Sequence, residues 1–273
     1  MAYPVLQQYL ARLGTAENAN SSLWLDSQGR ARGRFFNCSM TSVFQTVREL
    51  DSGRPVGAEG LARSAAPADE GLSLWRLLDH AASDDESVEL DRLCRMLHAI
   101  NFFRQEASAG LDLHLNVHAR LLGAVSSNHG YAFRRILDAL GLPLEHVVLQ
   151  LPRATPQQSW LLNYVADNYR RNGFRFGVAV SGAREGLALL DRVRPDVLRV
   201  DTRKLDDAQA VPELLLRSAE LGARTLFRRI EDSAALLALS SAAQAARVWP
   251  LVQGELLDAP AARLPAHEEA AAA

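Results

Sequence analysis

Polar side chains that could bind a metal ion or a phosphate group occur one after another along this sequence, each at the end of a short apolar run. Glu59 and Asn116 each follow such a run, and Arg63 comes shortly after Glu59. Two later runs end at Asp201 and Gln253. Carboxylate and amide oxygens are the ligands that hard divalent cations prefer, and guanidinium groups bind phosphate through paired hydrogen bonds. The pattern therefore indicates a functional site formed where these apolar runs end.

The apolar runs alternate with amphipathic stretches, which predicts parallel strands joined by helices. The strands predicted in the later part of the chain are 111–117, 146–151, 174–180, 197–201, 225–230 and 248–253. The predicted helices are 83–103, 131–140, 156–171, 186–193, 208–221 and 233–246. This many strand–helix units favours a closed α/β barrel of the TIM type, in which functional side chains lie at the C-terminal ends of the strands.

The beginning and the end of the chain differ from this pattern. Residues 40–48 and 55–62 read as strands, and the link between them is too short for a crossover helix, so they are expected to pair antiparallel. Residues 1–35 are predicted to form an N-terminal extension packed on the barrel, with a short helix over 5–13 and a hairpin-like pair around Asp26 to Gly29. The barrel should span 36–262, and the Ala- and Glu-rich residues 263–273 should form a disordered tail.

Composition and charge exclude several classes of protein. With 48% hydrophobic and 23% charged residues and a formal net charge of -2, the chain is typical of a globular protein and lacks the basic balance of a direct nucleic-acid binder. It contains no apolar run long enough to span a membrane. Cys38 and Cys94 are isolated, which favours a reducing compartment and hence a cytoplasmic location. Trp75, Trp160 and Trp249 lie among apolar residues and are predicted to be in the core.

The order and spacing of the strand-end motifs resemble those of the EAL domain, the family of cyclic di-GMP phosphodiesterases, over about residues 40–260. The family signature Glu-Ala-Leu corresponds to Glu59-Gly60-Leu61, and the Arg that contacts phosphate corresponds to Arg63. The metal-binding Asn corresponds to Asn116, and the Gln of the final Gln-Gly motif to Gln253. The resemblance implies a TIM-like (β/α)8 barrel of the EAL type with one antiparallel strand, which composition and periodicity alone do not show.

The chain departs from the family at the positions of the metal-binding carboxylates. These positions hold Gln150, Ala179, Val180 and Arg228. At the end of the first strand Gln45 is kept, but the Pro that follows it in the family is replaced by Thr46. Two-metal hydrolysis of a phosphodiester needs several carboxylate ligands. The resemblance and these departures together predict a protein that holds no metal or other cofactor and is not an enzyme.

Arginines at several strand ends leave two hypotheses for the pocket. In the first, they converge at the open end of the barrel, replace the metal ions, and bind cyclic di-GMP without metal. The candidate ligand-binding residues are then Gln45, Glu59, Leu61, Arg63, Asn116, Arg153, Arg199, Arg228 and Gln253. In the second, the arginines turn outward or pair with Glu59, Asp201 and Glu231, and thereby close the pocket.

The resemblance leads to three functional hypotheses. The first is a metal-independent receptor for cyclic di-GMP, and the second is a ligand-independent module that binds a protein partner, such as a transcription regulator, and controls motility or biofilm formation. The third and least favoured is an active phosphodiesterase. EAL domains commonly dimerise, so a homodimer is expected, although the loop that couples the dimer interface to the metal ions is altered at 179–182.

Overall fold

The computed structural model describes residues 3–14, 22–36, 38–64, 83–119, 128, 130–153, 159–204 and 207–266. The strands in these ranges are β1 (Leu23–Leu25), β2 (Ala31–Phe35), β3 (Cys38–Glu49), β4 (Pro55–Ser64), β5 (Asp112–Asn116), β6 (Val147–Leu151), β7 (Arg175–Val180), β8 (Val197–Asp201), β9 (Arg224–Arg228) and β10 (Leu251–Gln253). The α-helices are α1 (Pro4–Arg12), α2 (Asp84–Phe103), α3 (Tyr131–Leu140), α4 (Ser159–Arg171), α5 (Ala183–Val193), α6 (Val211–Glu220) and α7 (Ser233–Ala246). In this described part of the chain, every helix is too short or too polar to cross a membrane.

Strands β3 to β10 form a closed barrel within the described residues. Neighbouring strands follow the order β3-β10-β9-β8-β7-β6-β5-β4, and β3 also pairs with β4, which closes the barrel. Strands β4 to β10 run parallel to one another, whereas β3 is antiparallel to both β4 and β10. The predicted (β/α)8 barrel with one antiparallel strand is confirmed.

The N-terminal extension packs on the barrel, with the predicted helix and hairpin formed. Strands β1 and β2 are an antiparallel hairpin that continues the sheet from the start of β3. The hairpin turn is held by Asp26, whose Oδ1 accepts hydrogen bonds from the backbone N–H groups of Gln28 and Arg30, both at 2.9 Å. Helix α1 contributes Leu6 and Leu10 to the main hydrophobic core.

The chain after β10 remains packed beyond residue 262, where the barrel was predicted to end. Ala261 pairs with Phe44 on β3. Leu264 is buried, and its backbone N–H donates to Gln105 Oε1 at 2.9 Å. Ordered packing therefore extends into the first residues of the predicted tail. Residues 267–273 of that tail lie outside the described residues.

Two of the three tryptophans predicted to lie in the core are on the surface, and the third, Trp75, lies outside the described residues. Trp160 on α4 is 68% exposed and Trp249, just before β10, is 43% exposed. The prediction was wrong because apolar neighbours in the sequence do not determine which side of a helix faces the core. On α4 the core side is taken by Leu162, and a residue two positions away on a helix points in a very different direction.

Candidate functional site at the mouth of the barrel

Alternation along the strands places polar side chains beside an apolar layer inside the barrel. The apolar layer consists of Val47, Val148, Val197, Leu226 and Leu251. Side chains two residues apart on a strand share a face, so the polar residues that also point inward are Gln45, Gln150, Arg199, Arg228 and Gln253. They lie about 7 Å farther toward the C-terminal ends of the parallel strands. This end is the mouth of the barrel.

Glu59, on β4, is the centre of the polar layer. Its side chain is only 2% exposed, and both carboxylate oxygens accept hydrogen bonds. Oε1 accepts from Asn116 Nδ2 at 2.6 Å, Arg199 Nη2 at 3.1 Å and Arg228 Nη2 at 3.0 Å. Oε2 accepts from Arg228 Nη2 at 2.8 Å and Gln253 Nε2 at 2.9 Å. Because a carboxylate offers about four acceptor positions, these contacts occupy it fully.

The partners of Glu59 also bind one another. Arg199 Nη1 donates to Asn116 Oδ1 at 2.9 Å, and Arg228 Nε donates to Gln253 Oε1 at 3.2 Å. We call these five residues the Glu59 cluster. Since β4 and β8 lie on opposite sides of the barrel, the cluster joins opposite walls across the mouth.

The charges within the Glu59 cluster determine its protonation state. Burial alone would raise the pKa of Glu59, but the charges of Arg228 and Arg199 and the hydrogen bonds from Asn116 and Gln253 lower this pKa to about 2. Burial and the charge of Arg228 lower the pKa of Arg199, and Glu59 opposes that change. The pKa of Arg199, about 9, is still above neutral pH, so its guanidinium stays charged. One carboxylate and two guanidinium groups leave the cluster with a net charge of +1.

Three predicted ligand residues lie beside the cluster without joining it. The backbone carbonyl of Gln45 accepts from Gln253 Nε2 at 3.3 Å, while the Gln45 side chain donates to the carbonyl of Asp258 at 3.1 Å. Leu61 and Arg63 lie farther along β4 and are half-buried. Arg63 Nη1 donates to a backbone carbonyl of its own strand at 3.2 Å. These side chains border the mouth of the barrel.

The four arginines considered for the pocket do not all converge. Arg199 and Arg228 enter the Glu59 cluster, whereas Arg153 is a surface residue whose Nε lies 2.9 Å from Glu185 Oε1. Arg153 follows the end of β6 and is outside the barrel interior, and the carboxylate on α5 is within its reach. The alternative, in which arginines pair with Glu59, describes the contacts of Arg199 and Arg228.

Comparison with known protein families identifies this barrel. The family model of the EAL domain matches residues 29–257, most of the chain. The chain belongs to the EAL domain family. No match to a curated protein is found.

Solved structures that contain EAL domains share the fold. Bacillus subtilis YkuI, in complex with cyclic di-GMP and calcium, has a TM-score of 0.67 and 21% identity, covering 83% of this chain and 57% of its own. Klebsiella pneumoniae BlrP1, in a calcium and cyclic di-GMP complex, has a TM-score of 0.67 and 20% identity with the same coverage. The EAL domain of Mycobacterium smegmatis DcpA has a TM-score of 0.60 and 18% identity, covering 84% of this chain and 95% of its own. This EAL chain thus spans 57% of the YkuI and BlrP1 chains, and the likeness shows the fold.

Gln150, at a position where the resemblance implies a metal-binding carboxylate, makes a neutral contact inside this EAL barrel. Its Nε2 lies 2.7 Å from His114 Nδ1. Burial lowers the pKa of His114 to about 4, so the ring is neutral near pH 7 and Nδ1 can accept a hydrogen bond from the amide. The two residues form a neutral pair on neighbouring strands, β5 and β6.

The other three positions at which the chain departs from the family also lack anionic oxygens. Ala179 shares the inward face of β7 with Gly177, whereas Val180 is buried in the hydrophobic core outside the barrel wall. Arg228 is part of the Glu59 cluster. Among the residues that the structure describes, no group of three or more His, Cys, Asp or Glu side chains could hold a metal ion. These positions therefore offer few of the hard oxygen ligands that a divalent cation prefers.

Gly177 makes room for a side chain of this site, although it has no polar group that would identify it as functional from the sequence. A Cβ atom at Gly177 would lie 2.1 Å from Gln150 Oε1. Glycine at this position therefore leaves the space that the Gln150 side chain occupies. A glycine inside a predicted strand is the sequence signal that could have indicated such a close approach.

An ion pair outside the motifs was also missed. Arg48 Nε and Nη2 donate to the two carboxylate oxygens of Asp258 at 2.6 and 2.8 Å. The hydrogen bond to Asp258 raises the pKa of Arg48. The pair ties β3 to the segment that follows β10, beside the seam where the barrel closes.

Proposed function

We propose that this chain is a non-catalytic EAL-domain protein of cyclic di-GMP signalling that acts as a regulatory module. The YkuI and BlrP1 structures contain cyclic di-GMP together with calcium, and the shared family supports the same signalling system for this chain. The observation that carries the proposal is that hydrogen bonds from two arginines and two amides occupy Glu59 fully. Two-metal hydrolysis requires carboxylates that are available to cations.

Binding of a divalent cation at Glu59 would have to break the Glu59 cluster. Arg199, which is 5% exposed, would then remain as a buried charge without its partner. Breaking a buried ion pair in this way typically costs about 3–5 kcal/mol. Arg228 would also repel the cation, and Gln150 offers only a neutral oxygen. We therefore expect no hydrolysis of cyclic di-GMP with either magnesium or manganese.

Within this proposal the chain acts by contact with a protein partner. The amide groups of Asn116 and Gln253 each use both their nitrogen and their oxygen in bonds within the cluster. A nucleotide would have to compete with these internal bonds to use the same side chains. The output that we propose, control of motility or biofilm formation, and the proposed homodimer rest on the family resemblance alone.

A metal-independent receptor for cyclic di-GMP is a second candidate, and the positive charge of the cluster favours it. The Arg228 side chain is 26% exposed at the mouth, so a phosphate group could reach its guanidinium while the bonds to Glu59 persist. Arg63 lies on the same strand as Glu59 and is half-buried. Charge-assisted bonds from two such guanidinium groups to phosphate would be strong.

Hydrolysis is tested by incubating the folded protein with cyclic di-GMP in magnesium and in manganese, and by separating the products by chromatography. We expect no linear pGpG above the level of a protein-free blank. Formation of pGpG that disappears in Glu59→Ala would overturn the non-catalytic proposal, because it would show that Glu59 is available to catalysis.

Calorimetric titration of cyclic di-GMP, first in EDTA and then in magnesium, separates the two non-catalytic functions. Absence of binding in both buffers, from protein shown to be folded by circular dichroism, supports the protein-binding module. Binding in EDTA that is weakened in Arg228→Gln but retained in Arg153→Gln would instead assign the receptor. Arg153→Gln is a matched control because it removes an arginine that lies outside the cluster.

A further inference from the structure

Three segments that are distant in the sequence meet on the outside of the barrel, beside β3. In the last turn of α2, the Asn101 side chain bonds the backbone at the start of β2, at 2.8 Å in both contacts. The hairpin turn contacts the residue after α2: a Cβ atom at Gly29 would be 3.7 Å from Arg104 Nη1. The side chain of the next residue, Gln105, bonds the backbone on either side of Arg263. Its Oε1 accepts from the N–H of the following residue at 2.9 Å, and its Nε2 donates to the carbonyl of the preceding residue at 3.4 Å. The hairpin, the end of α2 and the C-terminal segment therefore converge.

This convergence gathers positive charge. Arg30 Nε and Arg32 Nε donate to Asp26 Oδ2 at 2.9 and 3.2 Å. We call Arg30, Arg32, Arg104 and Arg263 the hairpin arginine cluster. With Asp26 as the bound carboxylate, four guanidinium groups leave a net charge of +3. The charge is still +2 if the exposed Glu106, which follows Arg104, is counted.

Arg104 is the member of this cluster whose hydrogen bonding is incomplete. Its Nε is buried and has no hydrogen-bond partner among the described residues. Burial lowers the pKa of Arg104, and the charges of Arg30 and Arg263 lower it further, while Asp26 opposes them. A buried donor without a partner, next to other cations, is unfavourable unless an anion compensates it.

We propose that the hairpin arginine cluster binds a phosphate group, carried by inorganic phosphate or by a small phosphomonoester. A phosphate group carries a charge of about −1.5 to −2 near pH 7 and offers several acceptor oxygens, whereas a carboxylate supplies a single charge. Phosphate would thus offset most of the excess positive charge and provide an acceptor for Arg104. This site shares no residue with the Glu59 cluster, and the inference is independent of the function proposed for the mouth.

Calorimetric titration with inorganic phosphate at constant ionic strength tests the site on the full chain. The variants are Arg104→Gln and Arg263→Gln, with Arg192→Gln as control, since Arg192 is an exposed arginine on α5. Glutamine keeps a hydrogen-bonding side chain and removes the charge. We expect saturable binding of one phosphate per chain, unchanged in Arg192→Gln, and a Kd about tenfold higher in Arg104→Gln.

Saturable binding that is weakened by either cluster variant supports the site. Because Arg263 is exposed, Arg263→Gln can be tested even if Arg104→Gln fails to fold. Equal weakening in Arg192→Gln, or no saturable binding by the wild-type chain, would overturn the proposal. A parallel titration with glycerol 3-phosphate distinguishes the sources. Tighter binding than inorganic phosphate assigns the site to a phosphomonoester, and weaker binding assigns it to the free anion.

Discussion

Replacing Glu59 by Gln should destabilise the protein strongly, because it removes the one negative charge of the Glu59 cluster while keeping the size of the side chain. Arg199, 5% exposed, and Arg228, 26% exposed, would then face each other without a counter-charge. Removal of one partner from a buried ion pair typically costs about 3–5 kcal/mol. Since solvent can screen Arg228 in part, we expect a loss near the lower end, about 3 kcal/mol in the free energy of unfolding.

The pKa of Glu59 leads to the same magnitude independently. The pKa is lowered from 4.5 to about 2. Relative to an unperturbed carboxyl group, the folded protein therefore favours the charged form over the neutral acid by about 3 kcal/mol. Both estimates describe the same quantity, the dependence of the fold on a negative charge at this position.

Urea denaturation followed by circular dichroism measures this loss, with Arg153→Gln as the surface control. The double variant Glu59→Gln, Arg199→Met adds a sharper criterion, because replacing both members of a buried pair by neutral residues is often harmless. We expect the double variant to be more stable than Glu59→Gln alone. A loss below about 1 kcal/mol in Glu59→Gln, or additive losses in the double variant, would refute the argument that an unpaired buried arginine causes the destabilisation.

Three further predictions concern Glu59, Gly177 and Arg153. The stability contributed by the charged Glu59 should be present above pH 4.5 and be lost as the pH falls toward about 2; acid unfolding curves check this, and Glu59→Gln should lack the dependence. Gly177→Ala should cost about 1–3 kcal/mol, because the new Cβ would lie 2.1 Å from Gln150 Oε1; adding Gln150→Ala should recover part of the loss, and a neutral Gly177→Ala would contradict the close packing. Arg153→Ala should change the free energy of unfolding by less than about 1 kcal/mol, since its ion pair with Glu185 is on the surface, and a larger loss in urea denaturation would show that this pair is structural.

The fold was predictable because local patterns specify most of its elements. The helix Tyr131–Leu140 and the strand Val197–Asp201 occur where the sequence predicts them, since amphipathic spacing and an apolar run bounded by polar residues are each unambiguous there. The short link between the first two barrel strands likewise predicted their antiparallel pairing. The exposed Trp160 shows the limit of such patterns, because burial on a helix depends on which side meets the barrel.

The site was predictable in its positions but not in its contacts. The strand-end motifs located Glu59, Asn116 and Gln253, all of which meet at the mouth. The arginines differ because Arg199 lies within β8, on the same inward face as Val197, whereas Arg153 comes after the end of β6. A long side chain outside a strand can form an ion pair with any of several nearby carboxylates. That choice depends on the assembled structure.

The Glu59 cluster has a consequence for how the chain is made. Glu59 precedes its partners Asn116, Arg199, Arg228 and Gln253 by 57, 140, 169 and 194 residues. At usual rates of synthesis the last partner emerges about 10–40 s after Glu59. Until then, burial of this carboxylate would leave it without most of its compensating bonds. We expect β4 to become protected from protease only when β10 joins it, so that a nascent chain halted before Leu251 stays cleavable near Glu59 and the released protein does not.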